Sequence, residues 1–465
     1  MPKENETAKR TPDTLEVNYG LNPDLVHFVR DALKEGDSNR TRGLITDLHP
    51  ADIADLINQI SKEEREILIG IIRDTFSPEV LVELEPEVRE EIMDLLGTQD
   101  SAKAVAELES DEAIEVIEHL DHEEQKEILE ALPDTEQRAM LQEGLTYSED
   151  AAGRLMNTEF VAIPQDWNVG QTIDHLREKQ ELPDDFYQIF VVDKKNVPVA
   201  SIMVSRVIRS KREVPIKDIM DSDVRAIPAF MDQEEVSYMF QKYGLAAAPV
   251  VDESGQIVGT ISVDDIVHVI EEEAEEDMMR LGGVSGNDLY KSFLMTTRHR
   301  LPWLCMNLIT TMADAIVISQ FTSVISQIVT LAVLMPIVAN MGGVAGTQAM
   351  TVTVRALATK ELTDTNAVRN IMREVLSCFL SGLALALVVG VGSYYIYGNM
   401  AMSAVFAATM AITLSIGGLA GAMIPMILHR MGTDPAVTSS VFLTTLTDVT
   451  AFLTLLGLSV AFLIP

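Results

Sequence analysis

Three hydrophobic patterns succeed one another along the chain. Between about residues 40 and 145 the apolar positions recur at helical spacing in short bursts, the pattern of short amphipathic helices. Part of it repeats: Leu48-His49-Pro50-Ala51-Asp52-Ile53-Ala54-Asp55-Leu56-Ile57 returns as Leu108-Glu109-Ser110-Asp111-Glu112-Ala113-Ile114-Glu115-Val116-Ile117, and Ser61-Lys62-Glu63-Glu64 as Asp121-His122-Glu123-Glu124. Stacked helix pairs with a narrow shared core, an α-solenoid, are expected over 21–148, after a disordered lead-in over 1–20. A second repeat covers about 151–275. Leu155-Met156 and Ala162-Ile163-Pro164 return as Ile219-Met220 and Ala226-Ile227-Pro228, and Ile189-Phe190-Val191-Val192-Asp193 as Ala248-Pro249-Val250-Val251-Asp252. Each half closes on a strand and a helix, Val199 to Ile208 and Val258 to Val267, so the predicted order is β-α-β-β-α twice, with halves at 149–210 and 211–275. A connecting helix is expected over 276–300. Beyond Arg300 lie five apolar stretches, roughly 302–326, 328–354, 375–398, 402–428 and 436–463, each long enough to cross a bilayer of about 30 Å. The expected fold class is therefore multidomain: an α-solenoid, an α/β tandem pair, and an all-α membrane domain of five transmembrane helices over 301–465.

Charge sharpens the division. The 465 residues include 71 acidic and 35 basic ones, a net charge of −36, yet mean hydropathy is positive at +0.15. Only five basic residues (Arg355, Lys360, Arg369, Arg373, Arg430) and six acidic ones (Asp314, Glu361, Asp364, Glu374, Asp434, Asp448) fall in 301–465, so nearly all the negative excess sits in front. A single soluble enzyme domain is excluded, and nucleic acid is not an expected partner because its phosphates would be repelled. Cys305 and Cys378 both lie in apolar segments, which leaves no disulfide or cysteine-zinc framework. Met1 to Arg10 has no apolar core, so no secretory signal is expected. Lys291, Arg298 and Arg300 precede the first span, and the other basic residues of the membrane part fall between spans two and three or four and five. The positive-inside rule then puts the front domains in the cytoplasm, and the odd number of spans puts Pro465 outside a cell (inner or plasma) membrane.

An ionisable residue inside a span is costly and needs a reason. Asp448 lies in the fifth span, and Ser440, Thr444 and Asp448 form one stripe at helical spacing. A carboxylate flanked by hydroxyls suits a hard cation that keeps much of its water, such as magnesium. The other reading is a protonated Asp448 bonded to a neighbouring helix; the continuity of the stripe favours the ion path. Asp314, with Asn307 and Thr311 on roughly its face, binds an ion or pairs with another helix, and the sequence does not choose. Pro336 and the run Gly342, Gly343, Gly346, Gln348 in the second span either let backbones approach or break the helix so that carbonyls line a cavity. The front half ends on Glu271-Glu272-Glu273-Ala274-Glu275-Glu276-Asp277. So many carboxylates packed together call for cations between them, which makes the acidic part a divalent-cation sensor that spreads when the ions leave.

The tandem α/β repeat resembles a CBS domain pair. Such pairs take adenosine nucleotides between their halves, and Ser262 and Asp265, in Gly259-Thr260-Ile261-Ser262-Val263-Asp264-Asp265, stand at the places that resemblance implies for nucleotide contacts. Met203 and Arg206 stand at the equivalent places in the first half. ATP, bound and not hydrolysed, is the implied cofactor, beside the reading of a purely structural, dimerising pair.

The whole order of parts over about 40–465 resembles the MgtE family of magnesium transporters and channels. The motifs that carry the likeness are Pro336 through Gln348 with Arg355-Ala356-Leu357-Ala358-Thr359, Gly421-Ala422-Met423-Ile424-Pro425, and Asp434-Pro435-Ala436 leading to Thr445 through Asp448. The resemblance implies a homodimer in the lipid membrane whose fifth spans line a pore for magnesium, with Asp448 holding the hydrated ion aided by Thr444 and Ser440. It implies too that bound cytosolic magnesium closes the gate, through carboxylates at Asp111, Glu115, Asp232, Glu234, Asp265, Glu273, Glu276, Asp277 and Asp434. This chain departs from the family at Val344, at Ser439-Ser440-Val441, at His268 and at Thr322, which bears on selectivity.

The function expected is gated magnesium uptake without ATP hydrolysis, as no Walker A motif occurs. Two rivals stand beside it: a sodium- or proton-coupled carrier or exporter of divalents such as cobalt or nickel, suggested by Asp314, and a membrane-anchored cation sensor that transports nothing. No enzymatic constellation is found.

Overall fold

The computed structural model describes residues 20–179, 182–183, 186–284, 293–363 and 365–464, with the side chains of 435–439 also left aside. The expected lead-in, save Gly20, lies outside the described residues, as do Lys291, Asp364 and Pro465. Two units are distinguished, up to Val269 and from Ile270.

The first unit begins with ten helices: α1 (Pro23–Glu35), α2 (Ser38–Ile45), α3 (Pro50–Gln59), α4 (Lys62–Ile72), α5 (Glu79–Val82), α6 (Pro86–Leu96), α7 (Thr98–Glu107), α8 (Ser110–Glu118), α9 (His122–Ala131) and α10 (Thr135–Gly144). The sequence repeat is a repeat of caps and apolar faces. It builds α3 and α8, and then caps α4 through Ser61 and α9 through Asp121, whose side chains accept from N–H groups of the first turn. Leu56, Ile57, Leu68, Leu81, Ile92 and Ile117 are fully buried along the shared core. Two buried arginines stitch successive helices. Arg65 donates to Ile57 O and Glu91, and Arg89 donates to Val82 O, Leu84 O and Glu115 O, satisfying helix-end carbonyls that would otherwise be orphaned.

The α/β repeat follows as β1 (Ala162–Pro164), α11 (Val169–Glu178), β2 (Gln188–Val192), β3 (Pro198–Met203) and α12 (Val204–Arg209), then β4 (Ile227–Pro228), α13 (Gln233–Tyr243), β5 (Ala247–Val251), β6 (Ile257–Ser262) and α14 (Val263–Leu281). In each half the first strand pairs parallel with the second, which pairs antiparallel with the third. The predicted order is the observed one. The expected cut between 210 and 211 is crossed in both directions, however. Asn157 bridges Thr260 of the second half, while Asp221 bridges Ser201 of the first, and Ile216, Ile219 and Met220 join the first half's core. Three-stranded sheets leave an edge unpaired, and each half's leader covers the other's. Likewise 276–300 is not one helix among the described residues: α14 runs without a break from Val263 to Leu281, then Gly283 turns with φ +71°.

The second unit holds α15 (Phe293–Gln320), α16 (Thr322–Gln327), α17 (Thr330–Ala358), α18 (Ala367–Tyr397), α19 (Met400–Arg430) and α20 (Pro435–Leu463). Among the described residues five helices are long and apolar enough to cross a membrane. They overrun the predicted apolar stretches, as at Phe293–Leu301, because charged residues end an apolar run without ending a helix whose backbone bonds continue. The first span also stops sooner, at Gln320, where the chain turns at Phe321 before the separate α16.

α19 is central, packing on α17, α18 and α20. Its closest approach is a glycine seam: a Cβ on Gly417 would lie 2.6 Å from Gly342 O, and one on Gly421 would fall on Gly346 O. With no hydrophobic drive between helices in lipid, close backbone contact of this kind supplies the association. Gly421→Ala should therefore lower the melting midpoint in detergent. Gly392→Ala on α18, where nothing lies within 4 Å, should raise it or leave it, since alanine is the better helix former by about 1 kcal/mol. Equal shifts for the two variants would contradict the seam.

Candidate functional site

Ser440, Thr444 and Asp448 lie on α20 as predicted, Thr444 exposed and the other two half-buried, so a single copy leaves the stripe open. Thr444 Oγ1 donates to Ser440 O at 2.9 Å, and Thr445 and Thr447 donate to carbonyls a turn back. Thr447 is buried, but the exposed Thr444 hydroxyl, with its proton spent on the helix, keeps its lone pairs for a donor from outside. That suits an ion whose bound waters donate hydrogen bonds.

Asp314 is buried on α15, whose principal neighbour is α20. Thr311 and Asn307 are exposed one and two turns away, the Thr311 hydroxyl donating to the Asn307 backbone carbonyl, so the expected shared polar face is not assembled around it. The glycine-rich run is resolved in favour of packing: α17 is continuous through Pro336, Gly342, Gly343 and Gly346. A Cβ on Gly346 would meet Leu443 of α20 as well as Gly417 O, one on Gly343 would lie 3.9 Å from Thr447 Oγ1, and Pro336, Val344 and Gln348 are exposed. The seam thus holds α20 by residues adjoining the stripe.

The carboxylates expected to sense cations fall into separate groups. Asp111 stands in the first turn of α8 and Asp265 in the first turn of α14, with Glu109, Glu112 and Asp264 around them, at two helix N-termini that favour negative charge. Burial, then Asp265 and Glu109, push the Asp111 carboxyl well above its ordinary range, and its buried Oδ1 has no hydrogen-bond partner. Burial, with Glu112 and Asp265, raises Glu109 to about 7, although the Asn157 amide donates to it. Asp265 is raised by burial despite accepting from Ser262 N–H and Oγ–H. Ser262 and Asp265, the nucleotide candidates, thereby cap α14. Glu109 and Glu112 were missed in the sequence, although they flank Asp111 in the repeated motif.

Glu115 is engaged elsewhere: it accepts from buried Arg89 at 2.7 Å. Asp232 caps α13, accepting from Glu234 N–H, and both are exposed. Glu276 and Asp434 both bind Arg280, the latter at 2.6 Å, and Asp277 is raised by burial and Asp434 while Arg280 opposes the rise. Glu273 is half-buried on the same helix. Arg280 is the residue sequence reasoning overlooked; its place four residues after Glu276 was the available signal. Among the described residues no three acidic, His or Cys side chains are gathered closely enough to cage a metal ion.

The profile of the divalent cation transporter family MgtE matches residues 335–458, that of the MgtE intracellular N domain 48–150, and that of the CBS domain 216–272. The magnesium transporter MgtE of Bacillus subtilis is 31% identical over 434 residues, covering 93% of this chain and 96% of the relative. Its counterpart from Thermus thermophilus is 31% identical over 93% of this chain and 97% of its own. Among solved structures, the cytosolic domain of the Mg2+ channel MgtE in complex with ATP is 28% identical, covering 52% of this chain and 99% of that one at a TM-score of 0.48.

Raised carboxyl pKa values fix the sign of a pH effect. Groups that keep their protons longer folded than unfolded add stability fully below the unfolded pKa and lose it as pH climbs to the folded one, for Glu109 from 4.5 to about 7. In chelator, the first thermal transition of the full chain should fall between about pH 5 and pH 8, and Glu109→Gln should flatten the slope. Magnesium at millimolar level should restore the midpoint at the higher pH.

Proposed function

This chain belongs to the MgtE family of divalent cation transporters, and we propose that it is a gated magnesium uptake protein whose acidic front domains bind the ion to close the path. The observation that carries this reading is the open stripe Ser440–Thr444–Asp448, a carboxylate and outward lone pairs within an apolar helix. A second copy placed along α20 would close the stripe into a path, so the working unit is a homodimer in the lipid membrane. The front domains lie in the cytoplasm and the chain ends outside, on the distribution of basic residues between spans. Closure follows from cations settling among Asp111, Asp265 and Glu109 and drawing those helices together. Ser262 and Asp265 extend the proposal to ATP as an unhydrolysed ligand, with Asp265 accepting from ribose hydroxyls, since phosphates would be repelled there.

Uptake by reconstituted vesicles tests the path. Two unit charges 4 Å apart attract by ~4 kcal/mol at an effective dielectric of 20, so Asp448→Ala should slow magnesium entry by about a hundredfold or more. Undiminished entry would leave only a membrane-anchored sensor, and entry that demands a sodium or proton gradient would favour the coupled carrier. Closure has its own test: proteolysis within 145–179, 186–284 should slow on adding millimolar magnesium, and unchanged cutting would remove the sensing half of the proposal.

A further inference from the structure

Helix α15 docks in an unusual way. Of its described residues from Phe293 to Gln320, Asp314 alone is buried, at 6% exposure, while the apolar Leu308, Ile309, Met312 and Ile316 around it are all more than half exposed. In a helix that crosses lipid the apolar side chains can face outward, but a carboxylate turned into the bundle is costly unless a partner satisfies it. Asp314 Oδ1 has no hydrogen-bond partner, and the charged group acting on Asp314 is Asp448 across the α15–α20 contact. Two carboxylates thus stand on packed neighbouring helices in an apolar setting. The five basic residues of 301–465 fall within the first or last two turns of a helix or beyond it, and among the described residues neither Asp314 nor Asp448 has an ion pair.

We propose that Asp314 and Asp448 of the same subunit form a two-carboxylate site for the transported divalent cation, one station per copy beside the shared path. This deepens the uptake reading and rests on Asp448 bordering the path. The charge closes: two carboxylates and one divalent ion leave nothing uncompensated in the apolar part, whereas either carboxylate alone leaves a net charge there. The donors are oxygen only, so the class is the hard, oxygen-preferring divalents, magnesium and manganese, with water filling the remaining positions. The ion also explains why α15 docks through a carboxylate, since the bound cation ties the two helices together.

Manganese bound to the full-length protein in detergent, counted by electron paramagnetic resonance, is the direct test. Asp314→Asn and Asp448→Asn should each lose the same one manganese per chain, and the double variant should lose no more. Asp314→Asn should also raise the half-saturating magnesium for uptake by about tenfold or more, and Asp314→Glu should recover most of it. A wild-type manganese count in Asp314→Asn, or additive losses in the double variant, would overturn the site. The two readings fail differently. An indifferent Asp314→Asn beside a dead Asp448→Asn removes only the second carboxylate, whereas undiminished uptake in Asp448→Asn removes the path itself. If Asp314→Asn fails to fold, Asp314→Glu carries the test: it must keep the manganese, and its loss there counts against the site.

Discussion

A carboxylate held away from water keeps its charge only while an opposite charge stays beside it, and that constraint sorts the acidic residues of this chain. Glu115 has Arg89, and Glu276 and Asp434 have Arg280. These are closed accounts, satisfied within the chain. Glu109 and Asp265 are met by neutral donors, Asn157 and Ser262, Asp265 also in small part by His268, and the buried Oδ1 of Asp111 has no hydrogen-bond partner. Asp314 and Asp448 stand on the packed helices α15 and α20 without an ion pair among the described residues. The second and third groups are the ones whose negative charge the described residues leave uncompensated by a basic side chain.

The membrane part gives that chemistry a fixed frame. Gly342 and Gly346 on α17 meet Gly417 and Gly421 on α19 at backbone distance, and the same face of α17 reaches Leu443 and Thr447 of α20. Asp448 is therefore positioned by neighbours whose packing tolerates little change, because a seam without side chains has nothing to rearrange. α15 is the opposite case. It contributes one fully buried residue, Asp314, with half-buried Ile318 packed against the core. Close backbone packing on one flank of α20 and a sparsely buried helix on the other leave α20 fixed from the α17 side and freer on the α15 side.

Much of this was legible in the sequence, and what was not has physical causes. The helical repeat, the doubled β-α-β-β-α order and the five spans were readable because each rests on a periodicity that burial imposes directly. Asp448 with Thr444 and Ser440 was readable because an ionisable group in an apolar run needs a reason. The exchange of leaders at Asn157 and Asp221 was not, since pairing a strand edge with the other half leaves no local signal. The glycine run offered two outcomes, and only the matching glycines on α19, seventy or more residues away, decide for close packing. Arg89 and Arg280 escaped notice because the search followed acidic residues alone. Whether a carboxylate is open depends on where the scarce basic ones fold to.

Arg280 sits between Glu276 and Asp434, with Asp277 close by, so a divalent cation arriving there meets carboxylates already engaged by a guanidinium it must displace or share. At Asp111 and Asp265 no such competitor is paired with the carboxylates; burial and like charge hold them in an unfavourable state that a cation relieves. Relief of existing repulsion outweighs exchange of one cation for another, so affinity should concentrate at the α8–α14 cluster. Helix α14 carries both situations, Asp265 in its first turn and Arg280 in its last, the latter bound to the residue that precedes α20. One end of that helix is thus left to respond to the ion, and the other is tied by the protein's own charge to the helix that bears Asp448.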